Sequence, residues 1–248
     1  DAKEAEAVIE RVTAACKEQS EEISPLSIAM GYAVKNGPED DIHAVLREAE
    51  QLTYRRKLMD EKSFRNSVIN ALLSTLSAKS EETQEHVKRL QDYCRQVGET
   101  LNISPKELEE ITLLSMMHDI GKVGIKDSIL QKPGPLTDDE WLEMRTHPEI
   151  GYRIALGNMD LAPIAEYILA HHERWDGAGY PRGLSREEIP MLSRILSVVD
   201  AFDAMTNTRV YRQAVSRPEA AEEIMKNAGT QFDPKVARVF IQDVLSMK

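Results

Sequence analysis

Five of the six histidines stand where they could act together with carboxylates. His118 precedes Asp119 at the end of the apolar run LLSMMHDIGK, and His171 and His172 lie at the end of a second run, YILAHHE. A lone histidine is more often a hydrogen-bonded core residue or a charge at a helix C-terminus. Repeated pairing with acids favours a metal site, because histidine and carboxylate together bind zinc, iron or manganese and one carboxylate can bridge two ions.

Further acids and a histidine fit the same chemistry. Glu82 and His86 are spaced i, i+4, so on a helix both side chains share one face and could chelate one ion. Taken alone, such a spacing is slightly more often an exposed Glu–His pair on a solvated helix. Asp200 lies in the apolar segment RILSVVDAFDAM, where an ionised carboxylate needs a metal or a cationic partner. Asp203 follows on the same face, and we assign it to substrate binding.

Cations and a glycine-rich loop could complete a site for an anionic substrate. Lys122 follows Asp119 by about one turn and could stabilise a leaving oxygen, with a surface lysine as the alternative. The segment WDGAGYP at 175–181 has the composition of a loop and carries Tyr180. Arg209 and Arg212 could bind phosphate oxygens through their guanidinium groups, with a helix-end charge as the competing explanation.

Helices position most of these residues. Apolar residues at steps of three and four predict a helix over 1–18, and alternation predicts a buried strand over 24–34. Asp40 or Asp41 could cap a second helix. If the helical pattern continues from about Asp40 through Ser77, one long helix would join the two parts of the chain and could offer a dimer interface. Beyond residue 63 the patterns predict helices over 64–79, 81–101, 105–120, 138–157, 160–173, 187–206 and 217–228. The fold class is therefore mainly α, with a small α/β segment at the N-terminus.

Composition limits the function classes. The 248 residues carry a formal charge of −11, which argues against binding of polymeric nucleic acid through a basic surface. No apolar run is long enough for a membrane span. Cys16 and Cys94 are far apart, which favours a reducing cytoplasm. The chain opens at Asp1 within a helical pattern, so we expect the natural N-terminus upstream.

The motifs HDIGK at 118–122 and HHERWDGAGYP at 171–181 resemble the HD-GYP family, the HD-domain phosphohydrolases that cleave cyclic di-GMP. KPGPLTDDEW, THPEIGYRI, IPMLSRILSVVDAFDAMT, RVYRQA and FDP follow in family-like order, so the resemblance covers residues 63–248. It implies metal ligation by Glu82, His86, His118, Asp119, His147, His171, His172 and Asp200, and His147 is implied by the resemblance alone.

The resemblance also implies roles around the metals. Lys122 becomes a catalytic-site cation, Tyr180 part of the loop near the substrate, and Arg209 and Arg212 phosphate binders. Many relatives lack a carboxylate at the position of Glu82, so its presence suggests room for a third ion.

Residues 1–62 resemble a different family, the C-terminal part of a GGDEF (diguanylate cyclase) domain, through SPLSIAMGYAV and DDIHAVLREAEQLTYRRK. The cyclase signature and nucleotide-binding half are absent from the chain, so no cyclase activity is predicted. The resemblance implies a tandem regulator in which a GGDEF-type domain accompanies the HD-GYP domain.

The working hypothesis is hydrolysis of cyclic di-GMP to linear pGpG, with GMP as a further product, by a metal-bridging hydroxide. Two or three iron or manganese ions are expected, although ligand type discriminates weakly among metals. Asp119 and Lys122 would carry the catalysis. Two alternatives stay open: hydrolysis of another cyclic dinucleotide such as cyclic GMP-AMP, and a sensor module that binds without turnover.

Overall fold

The computed structural model describes residues 2–18, 28–35, 37–53, 71–72, 74–76, 79, 84–207 and 214–247. The chain separates into two compact units, Asp1–Asn70 and Ala71–Lys248. The predicted boundary between residues 62 and 63 lies outside the described residues. Among the residues that are described, no helix has both the length and the hydrophobicity needed to cross a bilayer.

The first unit contains helix α1 (Ala2–Glu18) and helix α2 (42–53). The carboxylate of Asp41 accepts a hydrogen bond from the His43 amide at 3.0 Å, which confirms an aspartate cap at this helix start. The strand predicted over 24–34 is wrong across its described residues, 28–34, where the backbone is irregular. A strand needs a neighbouring strand to pair with, and none exists in the described part of the chain. Gly31 instead lies directly against α2, where an added Cβ would be 2.5 Å from the Ala49 carbonyl oxygen.

The second unit is built from helices. They are α3 (Gln84–Thr100), α4 (Pro105–Met117), α5 (Asp127–Leu130), α6 (Asp138–Met144), α7 (His147–Leu156), α8 (Ala165–Leu169), α9 (Met191–Thr206), α10 (Arg217–Lys226) and α11 (Pro234–Arg238). Short 3₁₀ turns occupy Ile120–Gly124, Ala162–Ile164 and Arg186–Glu188, and a π-helical segment Val239–Val244 follows α11. Residues 71–72, 74–76 and 79 are also helical.

Several helices are shorter than predicted, and two of the predicted ranges differ most. The range 138–157 divides into α6 and α7, because Pro148 lacks an amide hydrogen and restarts the helix in its first turn. The range 160–173 keeps only α8, preceded by the 3₁₀ turn that contains Pro163. The first interruption falls directly before His147, and α8 ends two residues before His171.

The core of the second unit lies where α3, α4 and α9 pack together. Its buried side chains include Ile111 and Leu114 of α4 and Ile195 of α9. Phe202 of α9 meets Phe240 edge to face with ring centroids 5.2 Å apart. Since α4 and α9 are held in this core, the polar residues that they carry are fixed in position.

Candidate metal centre

Two groups of histidines and carboxylates meet in the second unit. In each group, the potential ligand atoms lie within 4.8 Å of one another. The first group, called here group A, consists of Asp119, His147, His171 and His172, and the second, group B, consists of His86, His118 and Asp200. Imidazole and carboxylate at this spacing are suitable ligands for divalent iron, manganese or zinc.

The carboxylate of Asp119 faces both groups. Its Oδ1 atom lies 3.1 Å from His147 Nε2, in group A, and its Oδ2 atom lies 3.3 Å from His118 Nε2, in group B. One carboxylate with an oxygen toward each of two groups is the arrangement that can bridge two ions.

The histidines are oriented by hydrogen bonds on their Nδ1 atoms. Nδ1 of His147 lies 2.8 Å from the Met144 carbonyl and Nδ1 of His171 lies 2.5 Å from the Ile168 carbonyl. Nδ1 of His118 faces the carbonyl of Ser115 at 3.3 Å. A carbonyl only accepts, so each Nδ1 carries the proton and each Nε2 atom presents a lone pair to the site.

This donor set fits a divalent cation. His147 Nε2 and His171 Nε2 are 3.2 Å apart, and two lone pairs repel at that distance unless a proton or cation lies between them. Burial lowers the pKa of His171, and burial together with the neighbouring His171 and His147 lowers the pKa of His172 well below its usual value. Both rings are therefore neutral near pH 7, which is the form that binds a metal.

Asp119 is ionised although it is buried. Burial alone would raise the pKa of its carboxyl group, but the positive charge of Lys122 outweighs that effect and holds the pKa well below the usual range. Lys122 Nζ lies 2.5 Å from Asp119 Oδ2. The predicted cation Lys122 thus lies directly beside the Asp119 carboxylate.

Local sequence explains how Asp119 reaches His147. Helix α4 begins with a capping box, in which Ser104 and Glu107 exchange hydrogen bonds, and His118 is the residue that caps its C-terminal end. The 3₁₀ turn that follows packs against α7. Gly121 permits this approach, because a Cβ there would lie 2.6 Å from the Gly151 nitrogen and 2.8 Å from the His147 carbonyl carbon.

A loop closes one side of group A. The buried carboxylate of Glu173 accepts hydrogen bonds from the Arg182 amide at 2.7 Å and the Leu184 amide at 3.0 Å. The ring of Tyr180 stacks on His172, with centroids 4.9 Å apart. Burial raises the pKa of Tyr180 to about 12, so its hydroxyl remains a hydrogen-bond donor at neutral pH.

Asp203 needs a correction. We expected it to bind substrate, but its side chain is 3% exposed and its oxygens face protein groups: His86 Nδ1 at 2.7 Å and Arg89 Nε at 2.5 Å. Asp200, one turn earlier, is 30% exposed and belongs to group B. Of the two acids on this face of α9, Asp200 therefore lines the site and Asp203 lies behind a histidine.

Three of the predicted site residues, Glu82, Arg209 and Arg212, lie outside the described residues. Sequence reasoning missed Arg89, Glu173 and Arg145, whose guanidinium carbon lies 5.3 Å from the centroid of the Tyr180 ring. Arg89 could have been found from its position three residues after His86 on one helix face. Glu173 directly follows the histidine pair, whereas no pattern in the sequence pointed to Arg145.

Comparison with known proteins agrees with a helical fold that carries a histidine–aspartate site. The HD domain family model matches residues 68–236, and the chain belongs to this family. The chain is 37% identical over 195 residues to a protein of Vibrio cholerae named cyclic di-GMP phosphodiesterase; the match covers 73% of this chain and 40% of that protein.

Two further similarities come from the same organism. A protein named 3'3'-cGAMP-specific phosphodiesterase 2 is 35% identical, over 75% of this chain and 36% of its own length. The crystal structure of a cyclic GMP-AMP-specific phosphodiesterase aligns with a TM-score of 0.55 and 23% identity, over 72% of this chain and 48% of that one. This structural similarity shows the fold. In each of these three relatives, the region that matches this chain is less than half of the relative's length.

Proposed function

We propose that this chain is an HD-GYP-type, metal-dependent phosphodiesterase that hydrolyses cyclic di-GMP to pGpG, with GMP as a further product. The observation that carries the proposal is the position of Asp119, which turns one oxygen to His147 of group A and the other to His118 of group B. The name of the Vibrio cholerae relative at 37% identity supports the same substrate.

Group A and group B would hold one divalent ion each, and Glu82 would contribute to a third. Iron or manganese suits the mixed nitrogen and oxygen ligands, and group A and group B contain no cysteine. When bound, such ions lower the pKa of water and neutralise charge on a phosphodiester.

The remaining residues would handle the substrate. Lys122 would hold Asp119 in place and stabilise the departing oxygen, and the Tyr180 hydroxyl would donate a hydrogen bond to a phosphate oxygen. Arg209 and Arg212 would orient the nucleotide through their guanidinium groups.

The decisive experiment uses protein purified without oxygen. Metal per chain would be counted and turnover of cyclic di-GMP followed, for the natural sequence and for Asp119→Ala. We expect at least two ions per chain and a rate that falls sharply in the variant. An equal rate in the two proteins would refute the proposal.

A second candidate substrate is 3'3'-cGAMP, because the relative named for that substrate is almost as similar as the one named for cyclic di-GMP, at 35% against 37% identity. Rates measured with both cyclic dinucleotides separate the two candidates. Tight binding of either without product, in metal-loaded protein, would favour a sensor module instead.

The N-terminal unit would be the end of a GGDEF-like domain, as SPLSIAMGYAV and the Asp41-capped helix α2 suggest. The intact protein would then join a GGDEF-type domain to this phosphodiesterase in the cytoplasm, as a homodimer. Light scattering on the purified chain tests the dimer, since a monomeric mass would contradict it.

A further inference from the structure

His86 differs from the other oriented histidines in what holds its ring. The Nδ1 atoms of His118, His147 and His171 face main-chain carbonyls. Nδ1 of His86 faces a carboxylate, Oδ2 of Asp203, at 2.7 Å. A carboxylate acceptor makes the opposite ring nitrogen more basic than a carbonyl does, which strengthens its bond to a metal.

Asp203 is in turn held on several sides. Arg89 donates to both of its oxygens, from Nε at 2.5 Å and from Nη2 at 3.0 Å. Asn207 Nδ2 donates to Oδ1 at 3.0 Å and to the Asp203 carbonyl oxygen at 2.9 Å. The Asp203 side chain is only 3% exposed, so these contacts satisfy a charge that burial would otherwise penalise.

The geometry points to Arg89 and Asp203 as positioning residues that set the metal affinity of group B selectively. Arg89 fixes Asp203, and Asp203 fixes and polarises His86, whose Nε2 lies on the side of Asp200. This inference rests on the proposed metal centre. It adds that the affinity of the group B ion depends on the side chains of Arg89 and Asp203, which act on His86. The affinity of the group A ion does not, because main-chain carbonyls orient His147 and His171.

The test is a metal titration of the full chain after chelator treatment, with Mn²⁺ alone as the probe and bound equivalents read by competition with a coloured chelator. Asp203→Asn keeps the size of the side chain and removes its charge. We expect one Mn²⁺ per chain to weaken by about 10–100-fold, the usual cost of losing a partner of a metal-binding histidine, and the other to keep its affinity.

Arg89→Gln removes the guanidinium group that donates to both oxygens of Asp203 and leaves Asp203 itself in place. Arg89 is 35% exposed, so the fold tolerates its replacement more readily than a change at Asp203. We expect the same Mn²⁺ to weaken, by less than in Asp203→Asn. Arg95→Gln is the matched control, because Arg95 lies on the same helix and pairs with Glu99 on an exposed surface. It should bind both ions as the natural sequence does.

A purely structural role predicts a different pattern. If Asp203 and Arg89 served only stability, their variants would melt at a lower temperature without metal. The affinity for Mn²⁺ would then fall equally at both sites or at neither, and either result overturns the inference. Selective loss of one ion supports it. A natural chain that binds no Mn²⁺, Fe²⁺ or Zn²⁺ would instead refute the proposed metal centre itself.

Discussion

At the scale of single residues, Asp119 is the point on which the site depends. Its two oxygens face different histidines, and its charge is maintained by Lys122 despite burial. Asp119 is a member of group A, and its second oxygen lies 3.3 Å from His118 Nε2 of group B. Its loss should therefore affect two ions together.

We expect Asp119→Asn, which is nearly the same size, to lower turnover of a cyclic dinucleotide by about 10²–10³-fold, the range seen when one group that stabilises developing charge is removed. The physical reason is that a neutral amide cannot bridge two cations. Asp92→Asn, on the exposed face of α3, is the control. Steady-state kinetics with metal-loaded protein provide the measurement, and equal rates for the two variants would contradict the expectation.

The chemistry of the candidate site could be read from the sequence in good part. The pairs His118–Asp119 and His171–His172, with His86 and Asp200, come together as residue type and spacing suggested. The assignment of Asp203 failed because Asp200 and Asp203 share one face of α9, and only the packing of α3 shows that Asp203 lies against His86 Nδ1 and Arg89. His147 gave no periodic signal, since it lies at a helix start that Pro148 creates.

At the scale of elements, close backbone packing matters as much as side chains. The 3₁₀ turn Ile120–Gly124 can lie on α7 because Gly121 and Gly151 face each other without side chains. This contact sets the distance from Asp119 to His147. An element that must approach another this closely tolerates little added volume.

Gly121→Ala should lower the stability of the fold by about 1–3 kcal/mol, the usual cost of overpacking, because the new methyl group would overlap the His147 backbone. Thermal unfolding followed by circular dichroism measures this. Gly157→Ala is the control, since its added Cβ would come no closer than 3.4 Å to a neighbouring atom. Equal melting temperatures for the two variants would show that the turn can move away.

The loop that carries Tyr180 should depend on Glu173. In Glu173→Gln, the side chain keeps only one oxygen that can accept a hydrogen bond. One of the two main-chain N–H groups, of Arg182 or Leu184, therefore loses its acceptor, and the other is left with an uncharged acceptor. We expect hydrogen exchange at these two amides to accelerate and KM to rise while metal content stays constant. Unchanged exchange at both amides would argue against this role of Glu173.

Element boundaries were predicted less well than element type. The α4 and α6 starts follow the capping boxes Ser104–Glu107 and Thr137–Glu140, which a local sequence pattern encodes. The irregular run at 28–35 has the alternation of a strand but packs on a helix instead. Alternating apolar residues indicate that one face of a segment is buried. Whether the segment joins a sheet depends on pairing with a strand that is distant in the sequence.

At the scale of the whole molecule, the residues of group A and group B all lie within Ala71–Lys248. The HD family match, 68–236, falls almost wholly in that unit. We therefore expect a chain that begins at residue 63 to bind the same number of ions and to turn over the same substrate as the full 248 residues. Metal counting and kinetics on both chains test this, and a loss of bound ions in the shorter chain would show that residues 1–62 support the site.

The carbonyl partners of three histidines have a consequence for mutational robustness. Ser115, Met144 and Ile168 each stand three positions before the ring that they orient, and each acts through its main chain. Replacing their side chains leaves that acceptor in place, so a deep mutational scan of catalysis should find these three positions tolerant of polar or apolar exchanges that the core admits. His86 differs, because a side chain, that of Asp203, holds its ring. The scan should therefore find that substitutions at Asp203 reduce catalysis as substitutions at His86 do.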